Sequence, residues 1–294
     1  MFHTNVVPVD VPGEGRMRIA YTEKGSGKSL VFLHGMGGAG SDAEILFKNI
    51  PAGWHVIGIH FPGHGLSDKL PLGRFYTFEF FVNVVEAFLD AMEITHAYFV
   101  GTSMGGTVQL KLSARRPERV IAQAIQGAPF TQRDFPSRAL KVFAATGYAF
   151  SSGIMFLDGL INKEWLMRVA LALIAPELQE RIRKDPRARA VLRENVKNLD
   201  PRAVLQLTHE LVTKIDLTEE IEAITAPTLL IDGDRVILPA IDTSRRIASF
   251  LKNAKRVETR FIKDTGHLAP FSRAREFCES VISFFDANEP RAAQ

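Results

Sequence analysis

Short apolar segments alternate with helical patterns through most of this 294-residue chain. Four of them have the length and apolar continuity of strands buried on both faces: WHVIGIHF (54–61), HAYFVGTS (96–103), VIAQAIQG (120–127) and PTLLIDG (227–233). The segments at 78–92 and 104–117 have helical periodicity instead. Strands that alternate with helices predict an α/β fold with a mostly parallel sheet covered by helices on both faces.

The two ends of the chain extend this pattern. The first thirty-odd residues alternate apolar and polar side chains (MRIAYTEKG, then SLVFLHG), which is typical of paired antiparallel strands. After residue 233 the pattern predicts a helix around 240–252, a strand at 256–264 and a final amphipathic helix at 275–288.

The alternation stops between Pro129 and Thr225, where helical periodicity replaces it without a convincing strand. This span predicts a helical insertion at 130–225 that divides a core made of 1–129 and 226–294. Because ligands of open α/β sheets bind at the carboxyl ends of the strands, we expect the insertion to form a lid, or cap, over that edge.

The strongest chemical signal is Gly101-Thr102-Ser103-Met104-Gly105, which fits G-x-S-x-G. An apolar strand leads directly into Ser103 and a helix follows it, as a strained turn that exposes a nucleophilic serine requires. The start of that helix offers backbone N–H groups to a developing oxyanion. A serine that only caps a helix would explain Ser103 alone, but not the strand and the two glycines around it.

Two further segments suit the same chemistry. The turn HGMGG (34–38) follows an apolar strand and predicts a second oxyanion donor at the N–H of Met36. His34 itself is interpreted as structural. His267, in FIKDTGHLAPF, follows the late strand and predicts the base that a nucleophilic serine needs.

Together HGMGG, FPGHGLSD, GTSMGG, PTLLIDGD and GHLAPF resemble the α/β-hydrolase superfamily, in particular esterase- or lipase-like serine hydrolases with a helical cap. The resemblance covers essentially the whole chain and implies an eight-stranded sheet. It implies Ser103 as nucleophile, His267 as base, and the N–H groups of Met36 and Met104 as the oxyanion hole.

The chain departs from that family at two positions. His60 stands where relatives have an aspartate, and Val236 stands where they have the acid of the catalytic triad. Asp234 is the first candidate for a displaced acid, and Asp232 is the second. The acid could also be absent, since the region around the end of the sixth strand, where some relatives carry the acid, reads AIQGAPF, with Gln126 and no carboxylate.

These residues predict a hydrolase that forms an acyl-enzyme from an ester with an apolar acyl or aromatic part. The predicted substrate contacts are Gly35, Gly37, Phe130, Phe143, Phe156, Trp165 and Leu268. Two alternatives remain open at this point. One is cleavage of a carbon–carbon bond, or perhydrolysis, on the same fold. The other is a weak or inactive hydrolase scaffold that binds a small apolar ligand.

Composition excludes several other classes of protein. With 36 basic and 33 acidic residues, the net charge of +3 does not indicate a nucleic-acid partner. The single cysteine, Cys278, permits no intrachain disulfide and no cysteine metal cluster, and it fits a cytoplasmic location. No motif calls for a cofactor or metal, and the most apolar stretch, at 165–176, is too short to span a membrane. The expected partner is a small-molecule substrate, with a homodimer left open.

Overall fold

A computed structural model of the chain describes residues 4–135, 138–151, 186–235 and 242–290. Its strands form one sheet. They are β1 (Thr4–Val11), β2 (Gly15–Gly25), β3 (Lys28–Leu33), β4 (Trp54–Ile59), β5 (Ala97–Thr102), β6 (Val120–Gln126), β7 (Thr228–Gly233) and β8 (Val257–Ile262).

The sheet confirms the predicted fold class. The strand order is β1-β2-β4-β3-β5-β6-β7-β8, and the eight strands are those that the family resemblance implied. The pairs from β4 and β3 through to β8 are parallel, whereas β1 pairs with β2, and β2 with β4, in antiparallel register. The carboxyl ends of β5, β6, β7 and β8 therefore lie side by side at one edge of the sheet.

Helices connect the strands and flank the sheet. They are α1 (Glu44–Asn49), α2 (Phe78–Ala91), α3 (Met104–Arg115), α4 (Arg138–Ser151), α5 (Pro186–Lys197), α6 (Pro201–Thr213), α7 (Thr243–Phe250), α8 (Ala269–Ser272) and α9 (Ala274–Asp286). Two clusters of buried apolar side chains lie within this arrangement, a larger one that includes Phe81 and Phe99 and a smaller one that includes Trp54 and Phe285. Apolar side chains on both faces explain why the central strands read as continuous apolar runs.

The predicted cap leaves and rejoins the core along two adjacent chain segments. Thr131 and Asp216 form an isolated antiparallel bridge, and Gln132 N–H donates to the carbonyl of Ile215 at 3.0 Å. Within the predicted cap, α4 packs on α6, where a side chain at Gly147 would come within 2.6 Å of Leu205. The bounds 130–225 of the cap stay a prediction, and residues 152–185 lie outside the described part of the chain.

Helix α6 is joined to the core by a buried polar network around Asp200. The carboxylate of Asp200 accepts hydrogen bonds from Tyr76 Oη at 2.8 Å and from Arg202 Nε at 3.0 Å. Arg202 Nη2 also donates to the carbonyl of Leu70 at 2.6 Å. Burial raises the pKa of Asp200, but its hydrogen bonds to Arg202 and Tyr76 outweigh burial, so the pKa is lowered and the carboxylate stays charged.

Replacement of Asp200 by alanine is expected to lower the free energy of unfolding by about 3–5 kcal/mol, because it leaves the guanidinium of Arg202 buried without its counter-charge. Urea unfolding followed by circular dichroism measures this effect. The matched control is Glu222→Ala, which removes an exposed ion pair with Lys252 and should change the free energy by less than about 1 kcal/mol. Equal losses in the two variants would contradict the role given to the Asp200 network.

Candidate active site

Ser103 lies in a strained turn between β5 and α3. Its backbone angles are φ 51° and ψ −119°, a left-handed conformation that residues other than glycine rarely adopt. Its N–H donates to the carbonyl of Gln126 at 2.7 Å, and its carbonyl accepts from Thr107 N–H at 3.1 Å. The side chain is half-buried and therefore accessible at the edge of the sheet.

The glycines on both sides of Ser103 make this turn sterically allowed. A side chain at Gly101 would collide with the Gln109 side chain, and one at Gly105 would collide with the carbonyl of Leu33 at the end of β3. The start of α3 can therefore approach β3 closely enough for the turn to form.

The predicted oxyanion turn lies against Ser103. A side chain built on Gly35 would be 3.3 Å from Ser103 Cβ, so the turn that follows β3 passes directly beside the serine. Gly37 has φ 73°, which allows the chain to reverse there. The N–H of Met104 belongs to the first turn of α3, whose N–H groups have no partner within the helix. Of the two predicted oxyanion donors, Met104 directly follows Ser103 in the chain, and Met36 directly follows Gly35, which lies against Ser103.

His34 supports this turn as a neutral ring. Its Nε2 accepts the N–H of Phe61 at 3.1 Å, so the ring proton is on Nδ1, which is 2.7 Å from the carbonyl of Gly35. Burial, together with the nearby His64, holds the pKa of His34 well below its usual range. The interpretation of His34 as structural agrees with these contacts.

The turn at 60–64 contains two further buried histidines. Burial lowers the pKa of His60 and of His64 to about 4, and His64 adds to the effect on His60. His60 fits between Gly40 and Gly65, where a side chain on either glycine would collide with its ring. This neutral ring occupies the position at which the family resemblance implied an aspartate.

His267 follows β8 and lies against Gly127, the residue after β6. It is 8% exposed, and a side chain at Gly127 would come within 2.7 Å of its Nδ1. Gly127 has φ 59°, so glycine suits this position for its backbone conformation as well as for space. The same hypothetical side chain would be 3.7 Å from Asp232 Oδ1. Asp232 and the imidazole of His267 therefore border the same small space beside Gly127.

Asp232 lies near the carboxyl end of β7 and is 5% exposed. Its Oδ1 accepts the N–H of Gly127 at 2.7 Å, and its Oδ2 accepts the hydroxyl of Ser244 on α7. Burial raises the pKa of Asp232, while hydrogen bonds from Ser244, Gly127 and the Gln126 side chain oppose that rise.

Asp234 occupies a different environment. It is exposed, and its Oδ1 accepts the N–H of Thr265 at 3.3 Å, two residues before His267. Arg235 N–H donates to the carbonyl of Thr265 at 2.9 Å, and its side chain pairs with Asp264. Asp234 and Arg235 thus hold the turn that leads into His267. Val236 lies outside the described residues.

The remaining predicted substrate contacts have mixed placements. Leu268 is half-buried next to His267. Phe130 is fully buried instead, with the guanidinium of Arg246 5.0 Å from its ring centre and the ring of Phe250 at 6.0 Å. The reason is that Phe130 packs into the larger apolar cluster at the start of the predicted cap, so its ring does not reach solvent. Phe143 belongs to α4, and its side chain is outside the described part of the chain, as are residues Phe156 and Trp165.

Sequence reasoning missed two polar residues that contact these groups. Ser244 donates to Asp232 from the start of α7, and Gln126 donates from Nε2 to the carbonyl of His267 at 3.0 Å. Gln126 was noted only because it is not a carboxylate. The available signal was its position at the end of β6, between the strands that lead to Ser103 and to Asp232.

Comparison with known proteins defines the family. A family model described as the alpha/beta hydrolase fold matches residues 28–274. The chain therefore belongs to the α/β-hydrolase fold family. A solved structure of a thermophilic esterase from Thermogutta terrifontis superimposes on this α/β hydrolase with a TM-score of 0.74, covering 97% of this chain and 100% of that one. At 16% identity, this likeness establishes the fold alone.

Relatives that are similar in sequence align with different fractions of this α/β hydrolase. A 2-hydroxy-6-oxononadienedioate/2-hydroxy-6-oxononatrienedioate hydrolase from Paraburkholderia phymatum is 25% identical over 281 residues, with 92% of each chain covered. Relatives with 32–37% identity match over less than half of their own length. One of them, a serine hydrolase-like protein from Danio rerio, is 37% identical over 94 residues, which are 32% of this chain and 29% of that protein.

The described residues can also be searched for membrane-spanning helices and for metal-binding side chains. Among them, no helix combines the length and the apolar character that crossing a membrane requires. The same residues contain no group of three or more His, Cys, Asp or Glu side chains arranged to hold a metal ion.

Proposed function

We propose that this α/β hydrolase is a serine hydrolase that cleaves an ester-type carbonyl compound through an acyl-enzyme on Ser103. The observation that carries the proposal is the strained backbone of Ser103, at φ 51° and ψ −119°, in an accessible turn. Such strain is costly and persists where the surrounding structure imposes it, which is typical of functional sites.

The proposed reaction has two steps. Ser103 Oγ attacks the carbonyl carbon while His267 accepts the hydroxyl proton, and the N–H groups of Met36 and Met104 stabilise the resulting oxyanion. His267 then returns the proton to the leaving alkoxide, which leaves an ester on Ser103. Water, deprotonated by His267, attacks this ester, and the departing Ser103 oxygen takes the proton back.

Within this mechanism we propose Asp232, rather than Asp234, as the acid that orients His267. Asp232 is buried beside the imidazole, and hydrogen bonds from Gly127 and Ser244 fix its carboxylate. A buried, fixed carboxylate stabilises an imidazolium more strongly than an exposed one does. Asp234 has a separate role available, since its carboxylate accepts a backbone N–H in the turn before His267.

We propose that the cap restricts the site to substrates with an apolar acyl or aromatic part. Helix α6 reaches the oxyanion turn, where Thr208 Oγ1 donates to Met36 Sδ at 3.4 Å. The cap is therefore adjacent to the carbonyl site, and its aromatic residues Phe143, Phe156 and Trp165 stay predicted contacts. A cytoplasmic location and a homodimer also stay predictions.

The test combines covalent labelling with turnover. A fluorophosphonate probe should label the protein once, and peptide mass spectrometry should place the label on Ser103. Short-chain p-nitrophenyl esters should be hydrolysed, and the probe should abolish this activity. Labelling of Ser103 without turnover of any of these activated esters would instead support the alternative of an inactive scaffold.

A second candidate is hydrolysis of a carbon–carbon bond, favoured by the Paraburkholderia phymatum relative that covers 92% of this chain. In that reaction a carbon leaving group, rather than an oxygen, must receive the proton. The kcat/KM for a 2-hydroxy-6-oxo-dienoate, measured through the loss of its absorbance, should be compared with the kcat/KM for p-nitrophenyl butyrate. A kcat/KM higher for the dienoate by about 10² or more would favour the second candidate over an ester substrate.

Replacement of Gly127 by alanine is expected to lower kcat by about 10²-fold, because the new methyl group collides with the imidazole of His267 and displaces it. Steady-state hydrolysis of p-nitrophenyl butyrate measures this loss. The control is Gly13→Ala, a glycine with φ +82° and open space around its Cα, which shares the backbone strain without the collision. If Gly127→Ala kept more than about a third of wild-type kcat, the placement of His267 against Gly127 would be wrong.

A further inference from the structure

We infer that Gln126 is a positioning residue that fixes the nucleophile, the base and the acid of the proposed triad relative to one another. This inference rests on the proposed function, since it assigns a role relative to Ser103, His267 and Asp232. Gln126 is the last residue of β6, and its side chain is 1% exposed. It touches substrate in none of the proposed steps, so it acts through the other three residues.

The position of Gln126 follows from the strand order. Strand β6 lies between β5, which leads to Ser103, and β7, which carries Asp232. Within the sheet Gln126 pairs with Thr102, the residue before the nucleophile. The carboxyl end of β6 is therefore the place from which one residue, through its main chain and its side chain, can reach all three groups.

Three contacts join Gln126 to the triad. Its carbonyl accepts the N–H of Ser103 at 2.7 Å, which fixes the strained turn. Its Nε2 donates to the carbonyl of His267 at 3.0 Å, which fixes the loop that carries the base. The same side chain also lies beside the carboxylate of Asp232, where its amide helps to hold the pKa of that carboxyl down against the effect of burial. A glutamine amide has two N–H donors, so it can serve the His267 carbonyl and the Asp232 carboxylate together.

It also matters that the side chain of Gln126 is uncharged. Two acceptors, a carbonyl and a carboxylate, face its amide, so a neutral donor satisfies both. An ionised glutamate there would have no donor and would repel Asp232, and only its protonated form could donate to the His267 carbonyl. A glutamine is thus the side chain that suits these two acceptors.

The test is Gln126→Met, which keeps the size of the side chain and removes its N–H donors. We expect kcat for p-nitrophenyl butyrate to fall by about 10- to 100-fold, while KM stays within about 3-fold, because the substrate contacts are unchanged and the alignment of His267 is lost. The rate of fluorophosphonate labelling should fall in parallel. The matched control is Gln123→Met, an equally buried glutamine on the same strand, whose amide donates to Thr228 Oγ1 at 2.9 Å.

A second variant, Gln126→Glu, gives a second readout, the pH dependence of kcat, which a merely structural role would leave unchanged. Its kcat relative to wild type should rise as the pH falls from 8 to 6, since the protonated glutamate regains a donor, whereas the ratio for Gln126→Met should not change with pH. If the wild type is active, any one of three results would overturn the inference. These are an unchanged kcat in Gln126→Met, a pH-independent kcat ratio for Gln126→Glu, and an equal loss of kcat in Gln123→Met. A wild type whose Ser103 takes no label would instead contradict the proposed function.

Discussion

Replacement of Ser103 by alanine is expected to lower kcat for ester hydrolysis by about 10⁶-fold, the effect of removing the nucleophile from a serine hydrolase triad. The variant should fold normally, because alanine keeps the Cβ that Ser103 places 3.3 Å from the position of a Gly35 side chain. Hydrolysis of p-nitrophenyl butyrate, with fluorophosphonate labelling as a second readout, measures the loss. The control is Ser249→Ala, an exposed serine on α7 that should keep wild-type activity.

The same position offers a test of stored strain. Ser103→Gly also removes the nucleophile, but glycine adopts φ 51° without the steric cost that alanine shares with serine. The glycine variant should therefore be more stable than Ser103→Ala by about 1 kcal/mol. Hydrolysis that stays within about tenfold of wild type in both variants would mean that another residue is the nucleophile, and equal stabilities would mean that the turn carries no strain.

Local signals explain what the sequence could predict. The apolar run of β5, the glycines around Ser103 and the helical pattern of α3 are contiguous in the chain, so the turn could be identified from one segment. The parallel sheet followed in the same way from alternating periods, and strands β4 to β7 begin and end within two residues of the predicted segments. Contiguous patterns of this kind depend on short-range sterics and on burial of one segment at a time.

The arrangement around His267 could not be predicted in this way, because it depends on four strands that meet only in the folded sheet. Asp232 looked like the polar end of a buried strand, and Gln126 looked like a missing acid. Neither segment alone shows that the register of β6 and β7 brings both residues to the same edge. Phe130 shows the opposite error, since an aromatic residue at the start of the cap looked like a substrate contact but packs under Arg246 in the core.

The acid of the proposed triad is decided by comparing Asp232→Asn with Asp234→Asn. We expect Asp232→Asn to lower kcat by about 10⁴-fold, because a neutral amide neither stabilises the imidazolium nor selects the correct tautomer of His267. We expect Asp234→Asn to keep kcat within about 3-fold, since the Oδ1 of asparagine can still accept the N–H of Thr265. Steady-state kinetics with p-nitrophenyl butyrate, at pH 8 and with circular dichroism as a check of folding, measures both.

The pattern of losses separates the three hypotheses that the sequence left open. A large loss in Asp232→Asn alone assigns the acid to the buried carboxylate, whose contacts with Gly127 and Ser244 already fix its position. A large loss in Asp234→Asn alone would return the role to the exposed residue and would require its carboxylate to leave Thr265 for the imidazole during catalysis. Wild-type activity in both variants would mean that neither Asp232 nor Asp234 orients His267, and that the imidazole is held chiefly by its backbone, through Gln126.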